Sequence, residues 1–156
     1  MTPAINLAKQ RGLDYQLHDY AHDNNAVSYG LEAAEKLGVA AERIFKTLVV
    51  ETDNGKLAVA ILPVDTTLNL KKIAKVLACK KVQMAEPKQV ERSTGYVLGG
   101  VSPLGQKKHL ITVIDSSAQA QPTIYVSAGR RGLEIELPPQ QLADTLKARF
   151  AAIADS

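Results

Sequence analysis

A glycine-rich stretch, RSTGYVLGGVSPLGQKK, occupies residues 92–108. Four glycines lie among hydroxyl side chains, and two lysines close the stretch. The pair Gly99–Gly100 predicts either a backbone with φ > 0 or a neighbouring group too close to the main chain for a Cβ. Its bare amides, followed by Lys107 and Lys108, would suit an anionic ligand or a developing oxyanion. A tight structural turn explains the same residues, and the spacing matches no phosphate-binding loop.

The composition is that of a globular protein. The chain has 156 residues, 46% of them hydrophobic, which suits one domain over residues 1–156 with a buried core. The net charge of +3 allows a polyanionic partner without requiring one. The single cysteine, Cys79, excludes an intramolecular disulfide. The sequence shows neither a signal peptide nor a membrane-spanning run, so we expect a cytoplasmic protein with no membrane partner.

Local signals predict helices and strands on both sides of the glycine-rich stretch. Helices are predicted after three N-cap residues, Thr2, Ser28 and Asn69. Strands are predicted at residues 15–18, 44–52, 56–62, 81–84, 111–114, 123–127 and 133–137. The sequence Asp53-Asn54-Gly55 predicts a hairpin between two of them. Because the strands do not alternate regularly with helices, we expect an α+β fold.

Three further predictions concern helix faces and a turn. In the helix after Ser28, the residues spaced for one buried face are Leu31, Ala34 and Leu37. A terminal helix after Pro138-Pro139 is predicted to carry Leu142, Leu146, Phe150 and Ile153 on one side. The polar residues 19–25 are predicted to form a turn.

Lys46 is the most unusual side chain of the strand at residues 44–52. Between residues 44 and 50, both faces of that strand are otherwise apolar, apart from Thr47. Lys46 either packs its stem while its ammonium stays in water, or faces a pocket as a point charge for a phosphate or carbonyl oxygen. The periodicity favours the first interpretation.

Other candidate groups favour structural roles. Glu134 and Glu136 share one face of a strand, which is typical of a solvated sheet face. The three histidines offer no HExxH or similar spacing, so we expect neither a metal nor a cofactor. Cys79 lies in an apolar stretch without a Cys–His signature, which indicates a core residue rather than a nucleophile.

Basic residues occur in three groups, around residues 71–81, 107–109 and 130–131. If these groups meet in space, they form a footprint for a nucleic-acid backbone. Aromatic residues make up only 4% of the chain, so a row of stacked bases is not expected. Contact with a structured RNA, or with its end, fits better.

Five motifs occur in a specific order: FKTLVV (45–50), LKK (70–72), STGY (93–96), GGVSPLG (99–105) and YVS (125–127). This combination resembles the YbaK family of aminoacyl-tRNA deacylases, relatives of the editing domain inserted in bacterial prolyl-tRNA synthetases. The resemblance covers essentially the whole chain. It implies a single α+β domain with a central mixed, partly barrel-like β-sheet surrounded by helices.

The resemblance also implies an activity, the removal of cysteine from Cys-tRNA(Pro), with Cys-tRNA(Cys) as a further substrate. In this family the substrate's own thiol is thought to attack its ester carbonyl and to form a cysteine thiolactone. Such an enzyme positions the ester and stabilises the oxyanion, and it supplies no nucleophile. The partners implied are aminoacyl-tRNA and prolyl-tRNA synthetase, in a ternary complex.

The family resemblance assigns roles to residues of this sequence. The positions implied to line the site are Tyr20, Lys46, Gly99, Gly100, Ser127 and Glu134. Lys46 is implied to contact the ester or the terminal adenosine, and the Gly99 and Gly100 amides to face the carbonyl. Relatives often carry Asp where Glu134 stands and Gly where Ala128 stands, which could alter the geometry of the pocket.

Charge alone suggests Lys107, Lys108 and Arg130 as contacts to the tRNA backbone. Two other functions fit the same residues. One is an editing deacylase for another mischarged tRNA, such as Ala-tRNA(Pro). The other is a non-catalytic module that binds tRNA or the synthetase.

Overall fold

The structure is a computed structural model that describes residues 1–23 and 28–156. Its helices are α1 (Pro3–Gln10), α2 (Tyr29–Leu37), α3 (Leu70–Val76), α4 (Pro87–Thr94) and α5 (Pro139–Leu146). The first five strands are β1 (Gln16–Asp19), β2 (Phe45–Thr52), β3 (Leu57–Pro63), β4 (Thr67–Leu68) and β5 (Val82–Met84). The remaining strands are β6 (Ile111–Asp115), β7 (Ile124–Arg130), β8 (Leu133–Leu137), β9 (Arg149–Ala151) and β10 (Ala154–Asp155).

Two sheets carry most of the fold. The larger has the order β5-β2-β3-β6-β9, in which β2 and β3 form an antiparallel hairpin while β6 is parallel to both β3 and β9. The smaller is antiparallel, with the order β1-β8-β7. A bridge between Ile44 and Tyr125 joins the two sheets, which do not close into a barrel in the described part of the chain. The prediction of an α+β fold with a mixed sheet is confirmed.

The predicted helix caps form because short polar side chains replace the missing intrahelical acceptors. The Thr2 hydroxyl accepts from the Ile5 amide at 3.2 Å, and the Asn69 side chain accepts from the Lys72 amide at 3.0 Å. The Ser28 hydroxyl accepts from the Leu31 amide at 3.4 Å. These caps confirm three predicted helix starts.

The main hydrophobic core lies between the two sheets, α1 and α5. One face of β8 contributes Leu133, Ile135 and Leu137 to it, and β2 contributes Phe45 and Val49. The opposite face of the larger sheet packs against α3 through a second cluster that includes Val50 and Ile73. As a result, the N-terminal end of β2 and one face of β8 are brought together beside the junction of the sheets.

The predicted terminal helix is wrong beyond residue 146. Helix α5 ends at Leu146, and Lys147 takes a left-handed conformation with φ 54°. Phe150 lies instead in β9, which extends the larger sheet alongside β6. Ile153 is fully buried in the second cluster, away from Leu142 and Leu146. The helical spacing of these apolar residues was therefore coincidental, and pairing with the sheet edge overrides it.

The buried face of α2 includes Ala34 and Leu37, as predicted, but not Leu31. Leu31 is 47% exposed, whereas Glu32 is 6% exposed and lies inside with Ala33 and Ala34. A hydrogen-bonded partner for the Glu32 carboxylate makes this burial possible. The polar turn predicted for residues 19–25 lies partly outside the described residues, at positions 24 and 25.

None of the helices in residues 1–23 and 28–156 has both the length and the apolar composition that a bilayer crossing requires.

Candidate functional site

A cavity of about 320 Å³ opens where the two sheets meet. Its lining comes from β2, β7, β8, the start of α2 and the glycine-rich loop: Tyr20, Ser28, Tyr29, Gly30, Ile44, Phe45, Lys46, Thr47, Leu48, Val64, Leu98, Gly99, Val101, Ser127, Arg131 and Glu134. A concave, mostly apolar site with a few convergent polar groups is typical of small-molecule binding. The predicted site residues found in this lining are Tyr20, Lys46, Gly99, Ser127 and Glu134. Those outside it are Gly100, Lys107, Lys108 and Arg130.

Lys46 brings a positive charge to the cavity from the start of β2. Its Nζ donates to the Thr66 carbonyl oxygen at 2.6 Å. Burial lowers the pKa of Lys46 below its ordinary value, and the nearby charge of Asp65 acts in the opposite direction. Of the two sequence-based interpretations, the pocket-facing one describes this side chain.

Glu134 is a buried carboxyl group in the wall of the cavity. It is 7% exposed, and burial raises its pKa to about 8. Its carboxyl group has no hydrogen-bond partner among residues 1–23 and 28–156. The prediction of a solvated sheet face is therefore wrong for Glu134, because this face of β8 turns toward the junction of the two sheets.

Tyr20 and Ser127 lie near Glu134. The pKa of the Tyr20 phenol is raised to about 12, first by burial and then by the negative charges of Glu134 and Glu32. Tyr20 therefore keeps its proton at neutral pH and can donate a hydrogen bond. Ser127 is the cross-strand partner of Glu134, and its hydroxyl accepts from the Gly129 amide at 3.2 Å.

The glycine pair is required for two different reasons. Gly99 has φ +90°, and a Cβ there would lie 2.6 Å from Arg131 Nε and 2.9 Å from Tyr29 Cε2. A Cβ on Gly100 would lie 2.9 Å from the Cα of Arg130. Both sequence-based explanations, positive φ and close approach, therefore apply to this pair.

Contrary to the prediction, the Gly100 amide does not face the cavity. It donates to the Val97 carbonyl oxygen at 3.0 Å and closes a turn within the loop. The Gly99 amide, in contrast, has no acceptor among the described residues. Only Gly99 of the pair is therefore positioned to offer an amide at the cavity wall.

The predicted tRNA-contacting residues lie on the surface. Lys107, Lys108 and Arg130 are all exposed. The amides of Lys107 and Lys108 donate to the Thr94 and Ser93 carbonyl oxygens, which fixes this part of the loop against the end of α4. The structure thus separates a cavity with buried polar groups from an exposed basic surface.

Three residues of the cavity lining, Tyr29, Thr47 and Arg131, were not predicted from the sequence to line a site. The Thr47 hydroxyl is buried and has no hydrogen-bond partner in the described part of the chain. Tyr29 and Arg131 lie against Gly99 at the mouth. A hydroxyl directly after Lys46 in an apolar strand was the available signal for Thr47, whereas the position of Arg131 depends on tertiary packing.

Cys79 lies outside the cavity. Its thiol is 3.7 Å from the Ala74 carbonyl oxygen and 3.6 Å from that of Lys81. Within the residues described, no group of three or more His, Cys, Asp or Glu side chains could hold a metal ion.

Comparison with known proteins identifies the family to which this chain belongs. Residues 24–145 match the family model for the aminoacyl-tRNA editing domain. The chain therefore belongs to the aminoacyl-tRNA editing domain family, as the sequence motifs predicted.

Individual relatives refine this placement. The chain is 39% identical over 152 residues to a protein of Enterococcus faecalis named "Putative Cys-tRNA(Pro)/Cys-tRNA(Cys) deacylase EbsC", covering 97% of this chain and 92% of that one. It is 28% identical over 102 residues to the proline–tRNA ligase of Pelobacter propionicus, covering 65% of this chain but 18% of the ligase. The fold matches a solved "putative trans-editing enzyme for prolyl tRNA synthetase" with a TM-score of 0.87 at 21% identity, over 99% of this chain and 96% of that one.

Proposed function

We propose that the chain, as a single domain over residues 1–156, is a deacylase that removes cysteine from mischarged Cys-tRNA(Pro), and also from Cys-tRNA(Cys). The name of its Enterococcus relative supports this substrate, and family membership supports an editing role. The structural observation that carries the proposal is the cavity itself. It joins Lys46, Gly99 and Glu134, and its described residues show no hydrogen bond between a hydroxyl and a side-chain base.

The substrate's own thiol is proposed to supply the nucleophile. The cysteine sulfur attacks the ester carbonyl, the C–S bond forms, and the C–O bond to the terminal ribose breaks. The thiol proton passes, in net terms, to the departing ribose oxygen, and cysteine leaves as a thiolactone. Because attack is intramolecular, correct positioning of the ester provides much of the acceleration. This step is a lyase reaction, and later opening of the thiolactone by water gives the outcome of a hydrolase.

Each polar group of the cavity has a proposed task in this reaction. The Lys46 ammonium stabilises negative charge on the ester oxygens, and the Gly99 amide faces the carbonyl. The buried carboxyl group of Glu134, whose pKa is raised to about 8, is proposed to lose its proton to solvent when the substrate's α-ammonium group binds. The resulting carboxylate pairs with that ammonium group, a hydrogen-bond partner that residues 1–23 and 28–156 do not supply. Tyr20 and Ser127 form the remaining polar wall.

The wider tRNA contacts lie outside the cavity. Lys107, Lys108 and Arg130 are proposed to contact the tRNA backbone, since they are basic and exposed. Gly100 is proposed to assist indirectly, by allowing the loop to pack on Arg130. Prolyl-tRNA synthetase is the proposed partner, which would supply tRNA selectivity in a ternary complex.

A panel of three mischarged tRNAs tests the proposal. Purified protein is incubated with Cys-tRNA(Pro), Ala-tRNA(Pro) and Ser-tRNA(Pro), and the remaining ester is followed over time beside a reaction without protein. We expect rapid loss of the cysteinyl ester alone, because alanine and serine lack a thiol. Equal loss of all three would contradict the thiol mechanism, and no loss of any would indicate a binding module.

A further inference from the structure

The mouth of the cavity contains a connected series of polar side chains that ends on Arg131. Arg131 Nη1 lies 3.1 Å from His22 Nε2, and His22 Nδ1 lies 2.8 Å from Glu32 Oε1. The second oxygen of Glu32 accepts from the Asp23 amide at 2.7 Å and lies 3.5 Å from Lys36 Nζ. This series links the buried side of α2 to the cavity mouth.

The ionised carboxylate of Glu32 determines the direction of the hydrogen bonds in this series. Burial alone would raise its pKa, but hydrogen bonds from His22 and the Asp23 amide, together with the charge of Lys36, hold the pKa below its ordinary value. The carboxylate accepts a hydrogen bond from the N–H at His22 Nδ1. The lone pair on His22 Nε2 then accepts from Arg131, and this is the tautomer that satisfies both contacts.

Packing contacts fix the orientation of the Arg131 guanidinium group. Its Cζ atom lies 3.5 Å from the centre of the Tyr29 ring, which is a cation–π contact. The same guanidinium covers Gly99, whose missing Cβ would clash with Nε at 2.6 Å. The glycine at position 99 is therefore needed to seat Arg131 as well as to line the cavity.

Arg131 keeps its positive charge available at the mouth. Its hydrogen-bonding side-chain partner is an imidazole, and no ion pair between Arg131 and a carboxylate is found among residues 1–23 and 28–156. One hydrogen is used on His22, which leaves donors on Nη2 and Nε. A fixed planar guanidinium with parallel donors is the side chain best suited to two oxygens of one phosphate group.

We propose that Arg131 binds the phosphodiester on the 5′ side of the terminal nucleoside of the tRNA, and that Glu32 and His22 position it for this contact. The inference rests on the proposed function. When the aminoacyl group fills the cavity, the esterified ribose must lie at the mouth. Its 5′-phosphate is then one nucleoside away from the reacting carbonyl, in the region that Arg131 occupies. Arg131 is a binding residue in this scheme, and His22 and Glu32 are positioning residues.

Binding of two stable analogues tests this contact without any turnover. The first is adenosine with cysteine joined to its 3′ position through an amide in place of the ester. The second is the same compound with a 5′-methylphosphate, so that the pair differs only in the phosphodiester. Dissociation constants are measured by calorimetry at low and moderate salt, for folded wild-type and variant proteins checked by thermal unfolding.

Wild-type protein is expected to prefer the phosphorylated analogue by about tenfold or more, as a charge-assisted pair of hydrogen bonds implies. Arg131→Gln should bring the two dissociation constants within about twofold, and Arg131→Lys should restore part of the preference. His22→Phe should lower the preference less than Arg131→Gln does. Arg11→Gln, which removes an equal charge outside the cavity lining, should keep the full preference.

A wild-type protein that binds both analogues equally would overturn the inference, as would a preference that survives in Arg131→Gln. The proposed function fails separately. Phosphate preference that depends on Arg131, in a protein that leaves Cys-tRNA(Pro) intact, would contradict deacylation while supporting the binding role of Arg131.

Discussion

Two neighbouring regions along β8, one around Glu134 and one around Glu136, contain similar kinds of side chain. The pKa of the carboxyl group is raised in the first region and lowered in the second. The cavity contains Tyr20, Lys46, Ser127 and Glu134. The second region, called here the Glu136 cluster, contains His18, Arg43, Thr123, Tyr125 and Glu136. Each region therefore combines a carboxyl group, a basic side chain, a hydroxyl and a tyrosine.

In the Glu136 cluster the side chains satisfy one another. Glu136 lies 2.8 Å from His18 Nε2, accepts from the Thr123 hydroxyl at 2.5 Å, and lies 3.7 Å from Arg43 Nη2. Burial acts to raise the pKa of Glu136, but these hydrogen bonds lower it below its ordinary value. Glu134 has no such partners within residues 1–23 and 28–156, and its pKa is raised to about 8.

The difference separates polar groups that the fold itself satisfies from polar groups that are left available to a ligand. A carboxylate that the fold itself satisfies stabilises the fold, whereas a buried one without a partner costs stability and is available to a ligand. Matched substitutions in the two regions should therefore have opposite effects on activity and on the free energy of unfolding.

The largest contrast is expected between the two basic residues. Lys46→Ala should lower the rate constant for Cys-tRNA(Pro) deacylation by about 100- to 1,000-fold, because the charge proposed to stabilise the ester oxygens is lost. Arg43→Ala should leave that rate within a few-fold but reduce the free energy of unfolding by about 1–3 kcal/mol, since its contacts with Thr123 and Glu136 are lost. Single-turnover deacylation and urea unfolding measure the two effects. A Lys46→Ala enzyme that retains most of its activity would remove Lys46 from the mechanism.

The two carboxyl groups should give stability a pH dependence of opposite sign. The pKa of Glu134 is raised from 4.5 to about 8, so its contribution is fully present below about pH 4.5 and is lost as the pH rises toward 8. The limiting slope is about 1.4 kcal/mol for each pH unit. Glu136 has a lowered pKa, so its contribution is present above pH 4.5 and is lost as the pH falls further.

Urea unfolding between pH 3 and pH 9 checks these signs. Glu134→Gln should remove the decline in stability between pH 5 and pH 8. Glu136→Gln should instead weaken the loss of stability in acid. An unchanged decline in Glu134→Gln would mean that another group causes it.

A smaller contrast is expected between the tyrosines. Tyr20→Phe should reduce deacylation by roughly fivefold, since a buried donor in the cavity is worth about 1 kcal/mol. Tyr125→Phe should leave deacylation unchanged and lower stability by a similar free energy, because it removes a hydrogen bond to Glu136. The same two assays measure both variants. If Tyr125→Phe impairs deacylation without lowering the free energy of unfolding, the Glu136 cluster takes part in the reaction. That result would contradict the assignment of this cluster to stability alone.

The smallest effect is expected at Cys79, which belongs to neither region. Its thiol lies near two backbone carbonyl oxygens, its side chain packs against the second hydrophobic cluster, and the residue is outside the cavity lining. Cys79→Ser should therefore change deacylation by less than about twofold. A folded Cys79→Ser protein without activity would contradict attack by the substrate's thiol.

Features with local causes were predictable from the sequence. The caps at Thr2, Ser28 and Asn69, and the hairpin at residues 53–55, depend on groups within a few residues of each other. The family resemblance also implied five of the residues that line the cavity: Tyr20, Lys46, Gly99, Ser127 and Glu134. The end of α5 was not predictable in this way, because β9 forms only by pairing with a strand distant in sequence.

The two glutamates show the same limit at the site. Glu134 and Glu136 are two positions apart on the same face of β8, so the alternation of residues along the strand cannot distinguish them. The first lies where the two sheets converge, while the second meets His18 from β1 and Arg43 before β2. Only tertiary structure assigns one glutamate to the cavity and the other to an ion-paired cluster.

A comparison of Glu134 and Glu136 in one assay tests directly whether the cavity is the deacylation site. Glu134→Gln and Glu136→Gln proteins, matched for folded fraction, are mixed with Cys-tRNA(Pro) at neutral pH, and loss of the cysteinyl ester is followed. We expect Glu134→Gln to lower kcat/KM by roughly 10- to 100-fold, because a buried hydrogen-bonded charge pair is lost, and Glu136→Gln to stay near the wild-type rate. Equal rates for the two variants, or a greater loss in Glu136→Gln, would contradict the assignment of the cavity as the deacylation site.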